Sequence, residues 1–392
     1  MNFNISPYTH FVVIAGSHAY GTNTPESDLD IKGWAIPPVE KAVSYVQNFE
    51  QNDTKEPLEK HAFAACIKDY LNNTKTTCVV DPVDSTIYNL KKFMALAADC
   101  NPNIIDLLFT RQSEIVYCDF YGEEILEAAP LFLSQRARYS FTGYAISQLK
   151  RINTHRRWLL HPIQKKPERS DFGLPNMSVI PADQLGAAQA LIEKQVRLWM
   201  LEEAEIDKTM LAHIQEDLNA LIGNILLTKT NEEARQQVEH VVGKHYGMTE
   251  EYLSVLQQEK KYRSALNDYN SYQTWLKNRN PKRAEIEKEF GVDLKHASHL
   301  CRLIIEAEEI LEKGTLTLKQ PECIEFLKAI RRGVWDFEKI LTWSTEKMSI
   351  LQDKTIKCAV PEKPDVVKLD NIYRELVISC LDEDKGVEAW AQ

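Results

Sequence analysis

Near the amino terminus a Gly16-Ser17 pair is followed, after ten intervening residues, by Asp28-Leu29-Asp30. Residues two apart on a β-strand face the same side, so Asp28 and Asp30 would present two carboxylates together. Two like charges that close are unfavourable unless a cation lies between them. Carboxylate oxygens are hard ligands that suit Mg²⁺ (or Mn²⁺), which completes its shell with waters and substrate phosphates. Gly16 lets a backbone approach a phosphate closely, and Ser17 offers a hydroxyl and an amide. Ser27, directly before Asp28, is a further candidate nucleotide contact. This set suits two-metal transfer, in which ions about 3.5–4 Å apart activate an attacking hydroxyl and stabilise leaving pyrophosphate. Such a site needs a third carboxylate from a neighbouring strand. Asp84, just before Ser85-Thr86-Ile87-Tyr88, is the first choice and Asp81 the second. An isolated Asp-x-Asp is usually a solvated loop; the order and spacing with Gly-Ser make this one specific.

These residues need strands to hold them. Phe11 to Ala15 is a short β-rich run ending at Gly16, and Leu29 to Ile36 reads as a second strand stopped by Pro37-Pro38. Ser85–Tyr88 and Ile115–Tyr117 are two further candidates. Leu90, Phe93, Met94 and Ala97 lie at helical spacing, as do Ile104, Leu107 and Leu108. The polar stretch 48–75 is ambiguous. From about Pro130 the pattern turns helical, with amphipathic segments over 187–201, 211–227, 252–276, 294–311 and 324–341. Gly314 sits where a left-handed helix cap is expected. Pro162 to Pro181 holds four prolines and reads as a loop. The expectation is an α/β domain over 1–128 and a larger helical, substrate-binding domain over 129–392.

The 392 residues carry a net charge of -10, which argues against a protein that coats nucleic acid non-specifically but leaves room for a local basic cleft. The eight cysteines show no C-x-x-C spacing, so a zinc ribbon or thioredoxin-like site is not indicated. No signal pattern and no run of 18 apolar residues is seen, so a cytoplasmic protein without a membrane span is expected.

The Gly16-Ser17 and Asp28-x-Asp30 pattern resembles the polymerase-β nucleotidyltransferase superfamily. Tyr20-Gly21, Pro25-Glu26-Ser27, Leu90-Lys91-Lys92-Phe93 and Asn101-Pro102-Asn103 resemble one branch, the RlaP-like nucleotidyltransferases associated with RNA repair and also found in phages. The segments with Gln148 and His155-Arg156-Arg157-Trp158, and Asp293 to Leu303, are similar to that branch as well. The resemblance implies an α+β fold, with a small mixed sheet and helices followed by an all-helical region. It further implies metal-dependent transfer of a nucleoside monophosphate from an NTP, such as ATP, to an acceptor hydroxyl. Asp28, Asp30 and Asp84 would be the metal carboxylates, and RNA or tRNA is the acceptor the branch suggests. The other readings are a protein acceptor, or a module that binds nucleotide or RNA without turnover.

Two basic groups are secondary candidates. Lys150, Arg151, His155, Arg156 and Arg157, with Lys165, Lys166 and Arg169 in the following loop, could attract phosphate, and Trp158 could stack a base. A solvated helix face with Trp158 in the core fits the same pattern. Lys295, His299 and Arg302 share one helix face and could meet a triphosphate, or could simply face water. His18 could touch phosphate, although a packed loop histidine is the simpler reading.

Overall fold

Five strands form a mixed sheet in the order β3-β4-β2-β1-β5. They are β1 (Thr9–Ile14), β2 (Asp28–Ala35), β3 (Gln51–Glu56), β4 (Val79–Asn89) and β5 (Ile115–Cys118). Only β2 and β4 run parallel; the other neighbours are antiparallel. This computed structural model describes residues 4–42, 44, 49–178, 182–200, 239–279, 281–353, 355 and 357–390. Four strands fall where apolar alternation places them. The fifth, β3, lies inside the ambiguous polar stretch. Its sequence, Gln-Asn-Asp-Thr-Lys-Glu, has no apolar residue, because it is an edge strand held by backbone pairing to β4. A charged edge also discourages further strand addition.

The two faces of the sheet follow the period-2 rule. On one face Val12, Ile14, Leu29, Ile31, Val83 and Ile87 pack with Ile67 and Tyr70. Short helices α1 (Gly16–Ala19) and α2 (Val39–Ala42) precede α3 (Ala64–Thr74), which carries those last two residues. On the other face Phe11, Val13 and Trp34 pack against α4 (Leu90–Ala98) and α5 (Pro102–Leu108). Asn89 and Asn101 cap these helices by accepting from the amides of Lys91 and Asn103, and Pro102 opens α5 where no amide is needed.

Among the described residues the further α-helices are α6 (Phe120–Glu127), α7 (Ala129–Phe132), α8 (Arg136–Leu160), α9 (Ala182–Met200), α10 (Glu250–Asn278), α11 (Pro281–Phe290), α12 (Leu294–Lys313), α13 (Pro321–Arg331), α14 (Phe337–Gln352) and α15 (Val366–Trp390). The chain divides into two compact units, 1–160 with 281–392, and 161–280. This differs from the boundary expected at 128/129. The reason is apolar burial: Phe141 and Ala145 of α8, Leu300, Leu303 and Ile304 of α12 and Ile340 of α14 share one core with Phe11, Trp34 and Phe93. A sheet face of that size must be covered, and these helices cover it.

The helix expected over 324–341 is two helices. Gly333 takes a left-handed φ of 73°, and Asp336 caps α14 by accepting from the Lys339 amide. Gly314 ends α12 with φ 71°, as its position suggests. The segment 211–227 lies outside the described residues.

In the second unit, Leu185, Ala188 and Ile192 of α9 pack with Val242, Leu253 and Leu256. The proline-rich loop is tied down there. Arg169 pairs with the buried Glu259, lies over the Tyr262 ring and donates to the Pro175 carbonyl at 2.6 Å. Lys165 pairs with Glu168 and Asp171. Two of the three loop cations named as phosphate candidates are therefore answered within the unit. Among the described residues no helix is long and apolar enough to cross a membrane.

Candidate active site

Strand β1 delivers the chain into the Gly16-Ser17 turn. The Ala15 amide donates to the Asp30 carbonyl at 2.9 Å, which ties the turn to β2. Gly16 has φ 63°, and a Cβ there would overlap the Asp30 carboxylate. Glycine is thus required both for the left-handed backbone and for the space the carboxylate occupies. Ser17 is half-buried, and its carbonyl accepts from the Thr22 amide at 3.0 Å. Ser27 builds the following turn: its hydroxyl accepts from the Thr24 amide at 2.9 Å and its carbonyl from Val79 at 3.0 Å. Ser27 therefore positions Asp28 as β2 begins.

Asp28 and Asp30 lie on one face of β2, and Asp84 stands opposite Asp30 in register on β4. Asp28 and Asp84 are exposed, and Asp30 is half-buried. Burial, then the neighbouring Asp84 and more weakly Asp28, push the Asp30 carboxyl above the usual range; Lys32 and Lys295 oppose the shift. Repulsion within a group of hard oxygen donors is what a divalent cation relieves, so these residues fit Mg²⁺. Lys55 lies 3.5 Å from Asp84 in an exposed pair. Asp81 instead accepts from the Leu58 amide at 2.7 Å, so its carboxylate is occupied in shaping the turn before α3.

Deeper on the same face lies Lys32, two residues past Asp30. Burial lowers its pKa, while Asp106, Asp30 and Asp84 hold it up and Arg302 adds to the lowering. Behind it is a buried polar network. The Tyr20 hydroxyl donates to Asp106 at 2.6 Å, Arg302 donates to Asp106 at 2.8 Å and to Glu306 at 2.7 Å, and its guanidinium lies 3.7 Å from the Tyr20 ring centre. Burial raises the Tyr20 phenol well above its ordinary value. The network joins Tyr20, directly after α1, to α5 and α12, and so fixes the Gly16-Ser17 turn to the helices. Residues after α12 extend this docking: Arg331 donates to the Thr22 carbonyl, and Ile324 and the Lys319 stem lie against Gly21. His18 is buried, with its pKa lowered by burial and then by Lys319, so it is packed as the simpler reading has it, but on the short helix α1 and not in a loop.

The three α12 residues divide. Lys295 is exposed and electrostatically coupled to Asp30. His299 is half-buried and pushed down to about 3 by burial, then by Arg302, His296, Lys295 and Arg151, so it is neutral at physiological pH. Arg302 is a correction to the phosphate-facing expectation. Its side chain is only 7 % exposed, and its donors are taken by Asp106 and Glu306. Periodicity placed it on the right face but could not show that two buried acids wait there.

The α8 cluster divides similarly. Lys150, Arg151 and Arg157 are exposed. Arg156 donates to the Gly291 carbonyl at 3.3 Å and lies over the Phe337 ring, so it joins α8 to α14. His155 stacks on Trp158 and meets His296 edge-on. Trp158 is buried, which removes it as a base-stacking platform.

A small mixed sheet that carries a Gly-Ser turn and three converging carboxylates, followed by helices, has the nucleotidyltransferase-type fold. Residues 8–162 match the family described as "RlaP: RNA repair pathway DNA polymerase beta family". The "Uncharacterized 38.9 kDa protein in nrdC-mobD intergenic region" of Enterobacteria phage T4 is 36% identical over 151 residues, 35% of this chain. The matched region spans 40% of that phage protein's length. A crystal structure of a nucleotidyltransferase-like protein from Exiguobacterium sibiricum 255-15 aligns over 78% of this chain and 84% of that one, at 12% identity and a TM-score of 0.23.

Proposed function

We propose that the protein is a metal-dependent nucleotidyltransferase that moves a nucleoside monophosphate from an NTP to an acceptor hydroxyl and releases pyrophosphate. The observation that carries this reading is the register of Asp30 against Asp84, with Asp28 on the same face and Gly16 directly under Asp30. Asp28, Asp30 and Asp84 would hold Mg²⁺, which when bound lowers the barrier by neutralising charge at the reacting phosphate. The Gly16-Ser17 turn would receive the phosphate chain. Lys32 and Lys295, which flank the carboxylates, would balance its charge. Asp84 is suited to accept the proton of the attacking hydroxyl, since it is exposed at the rim of the carboxylate group. RNA or tRNA is the acceptor class the family description suggests.

The test is labelling of RNA and of protein with each α-labelled NTP in Mg²⁺ or Mn²⁺. Wild type should transfer label and release pyrophosphate. Asp28→Asn with Asp30→Asn should abolish transfer, a loss of at least ~10³-fold for removal of metal carboxylates, while retaining the fold. Undiminished transfer by that variant would overturn the mechanism. Nucleotide-induced thermal stabilisation of wild type without pyrophosphate release would favour a binding module instead.

A further inference from the structure

We propose that His155, Asp293 and His296 form a binding site for a transition-metal dication of the zinc class, on residues distinct from the catalytic carboxylates. One ligand atom from each lies within 4.8 Å of the other two. Asp293 is buried and the two histidines are half-buried. His155 comes from α8, and Asp293 and His296 from the start of α12, so the site would join two helices of one unit.

Three geometric features carry the assignment. The Asp293 Oδ2 and His296 Nε2 atoms are 3.5 Å apart. Two ligands of one tetrahedral zinc, at Zn–N and Zn–O lengths near 2.1 Å, stand roughly 3.4 Å apart, so this pair already has the required spacing. The opposite edges of Asp293 and His296 are held in place. His296 Nδ1 is 3.0 Å from Gln148 Oε1, and Asp293 Oδ1 accepts from the amides of Lys295 and His296 at 2.9 and 3.1 Å. Outer contacts of this kind fix the ring orientation and direct the second nitrogen at a metal. The His155 and His296 ring centroids are 5.9 Å apart, a separation that two imidazoles bound to one ion can span.

Donor chemistry separates the two sites. Two imidazoles and one carboxylate favour Zn²⁺, Co²⁺ or Ni²⁺, whereas three carboxylates favour Mg²⁺. A fourth position would be left for water. Because Lys295 lies between two of the ligands, an ion here would fix the start of α12, from which Lys295 faces Asp30.

The experiment uses full-length, tag-free protein stripped with a chelator and kept in excess Mg²⁺. It is titrated with Zn²⁺ against a chromophoric chelator, and with Co²⁺ by visible absorption. Wild type should take up one equivalent of zinc and give a cobalt spectrum without a thiolate band. His155→Asn with His296→Asn should lose that equivalent, while Asp28→Asn with Asp30→Asn should keep it. Asp293→Ser retains a capping oxygen for α12 and should fold normally but bind at least tenfold more weakly. No zinc uptake by folded wild type, or equal uptake by the folded histidine and Asp293→Ser variants, would overturn the proposal.

Discussion

Gly16 shows how closely one residue can be specified by its neighbours. Its φ of 63° already disfavours any side chain, and the space a methyl would fill is held by the Asp30 carboxylate. Gly16→Ala should therefore strain the turn by about 1–2 kcal/mol and displace Asp30 from its partners. The expected outcome is a melting temperature several degrees lower and transfer activity reduced at least tenfold. Gly143→Ala is the matched control: nothing lies within 4 Å of its new methyl, and it sits inside α8. That substitution should raise stability by about 0.5–1 kcal/mol and leave activity unchanged. At this scale the sequence was informative wherever the signal was local. Asp28 and Asp30 could be paired from strand periodicity alone, and Lys32 carried the same signal two residues further on. Asp106 gave no such signal, because its partners Tyr20 and Arg302 are distant in the chain.

The elements behind the site are joined by buried charge. Arg302 on α12 faces two acids, Asp106 from α5 and Glu306 from its own helix. Burial pushes the Glu306 carboxyl up to about 8, Asp106 adds to the rise, and Arg302 opposes it. At pH below the ordinary glutamate value both folded and unfolded chains hold this proton. As pH rises from there to about 8, the unfolded chain releases it and the folded chain keeps it, so stability falls across that window. Glu306→Gln keeps a neutral acceptor and donor in place and should flatten this slope. Urea midpoints at pH 5.5, 6.5, 7.5 and 8.5 would show it, as a decline in wild type that is reduced in the variant. An unchanged slope would mean that Glu306 is ionised throughout. Element boundaries were legible where a single residue enforces them, as Gly314 does. They were not where tertiary pairing decides, as in β3, whose six polar residues form a strand only because β4 offers an open edge. The break between α13 and α14 had a local signal in Gly333 and Asp336, but apolar periodicity ran across it.

For the whole molecule, the order of the chain and the order of the core differ. Residues 1–160 and 281–392 form one unit, and 161–280 form another inserted between them. Apolar periodicity alone suggested one helical domain after residue 128, because periodicity shows which helices have an apolar face but not which core that face enters. The observed division predicts opposite outcomes for two truncations. A chain ending at residue 160 loses α12, whose Leu300, Cys301, Leu303, Ala307 and Ile310 are fully buried against the core. It should be insoluble or lack cooperative unfolding, since so large an apolar face is left uncovered. Replacing 161–280 by a flexible linker of roughly ten residues should instead leave a cooperatively folding protein, because both ends return to the same unit: the His155 and His296 rings near them are in contact. Near-ultraviolet circular dichroism and a sharp thermal transition would establish this. The same protein, assayed for pyrophosphate release, would then show whether the inserted unit serves the acceptor. Loss of transfer with Mg²⁺-dependent NTP binding retained would assign acceptor handling to 161–280, and full transfer would assign it to the unit that carries Asp28, Asp30 and Asp84.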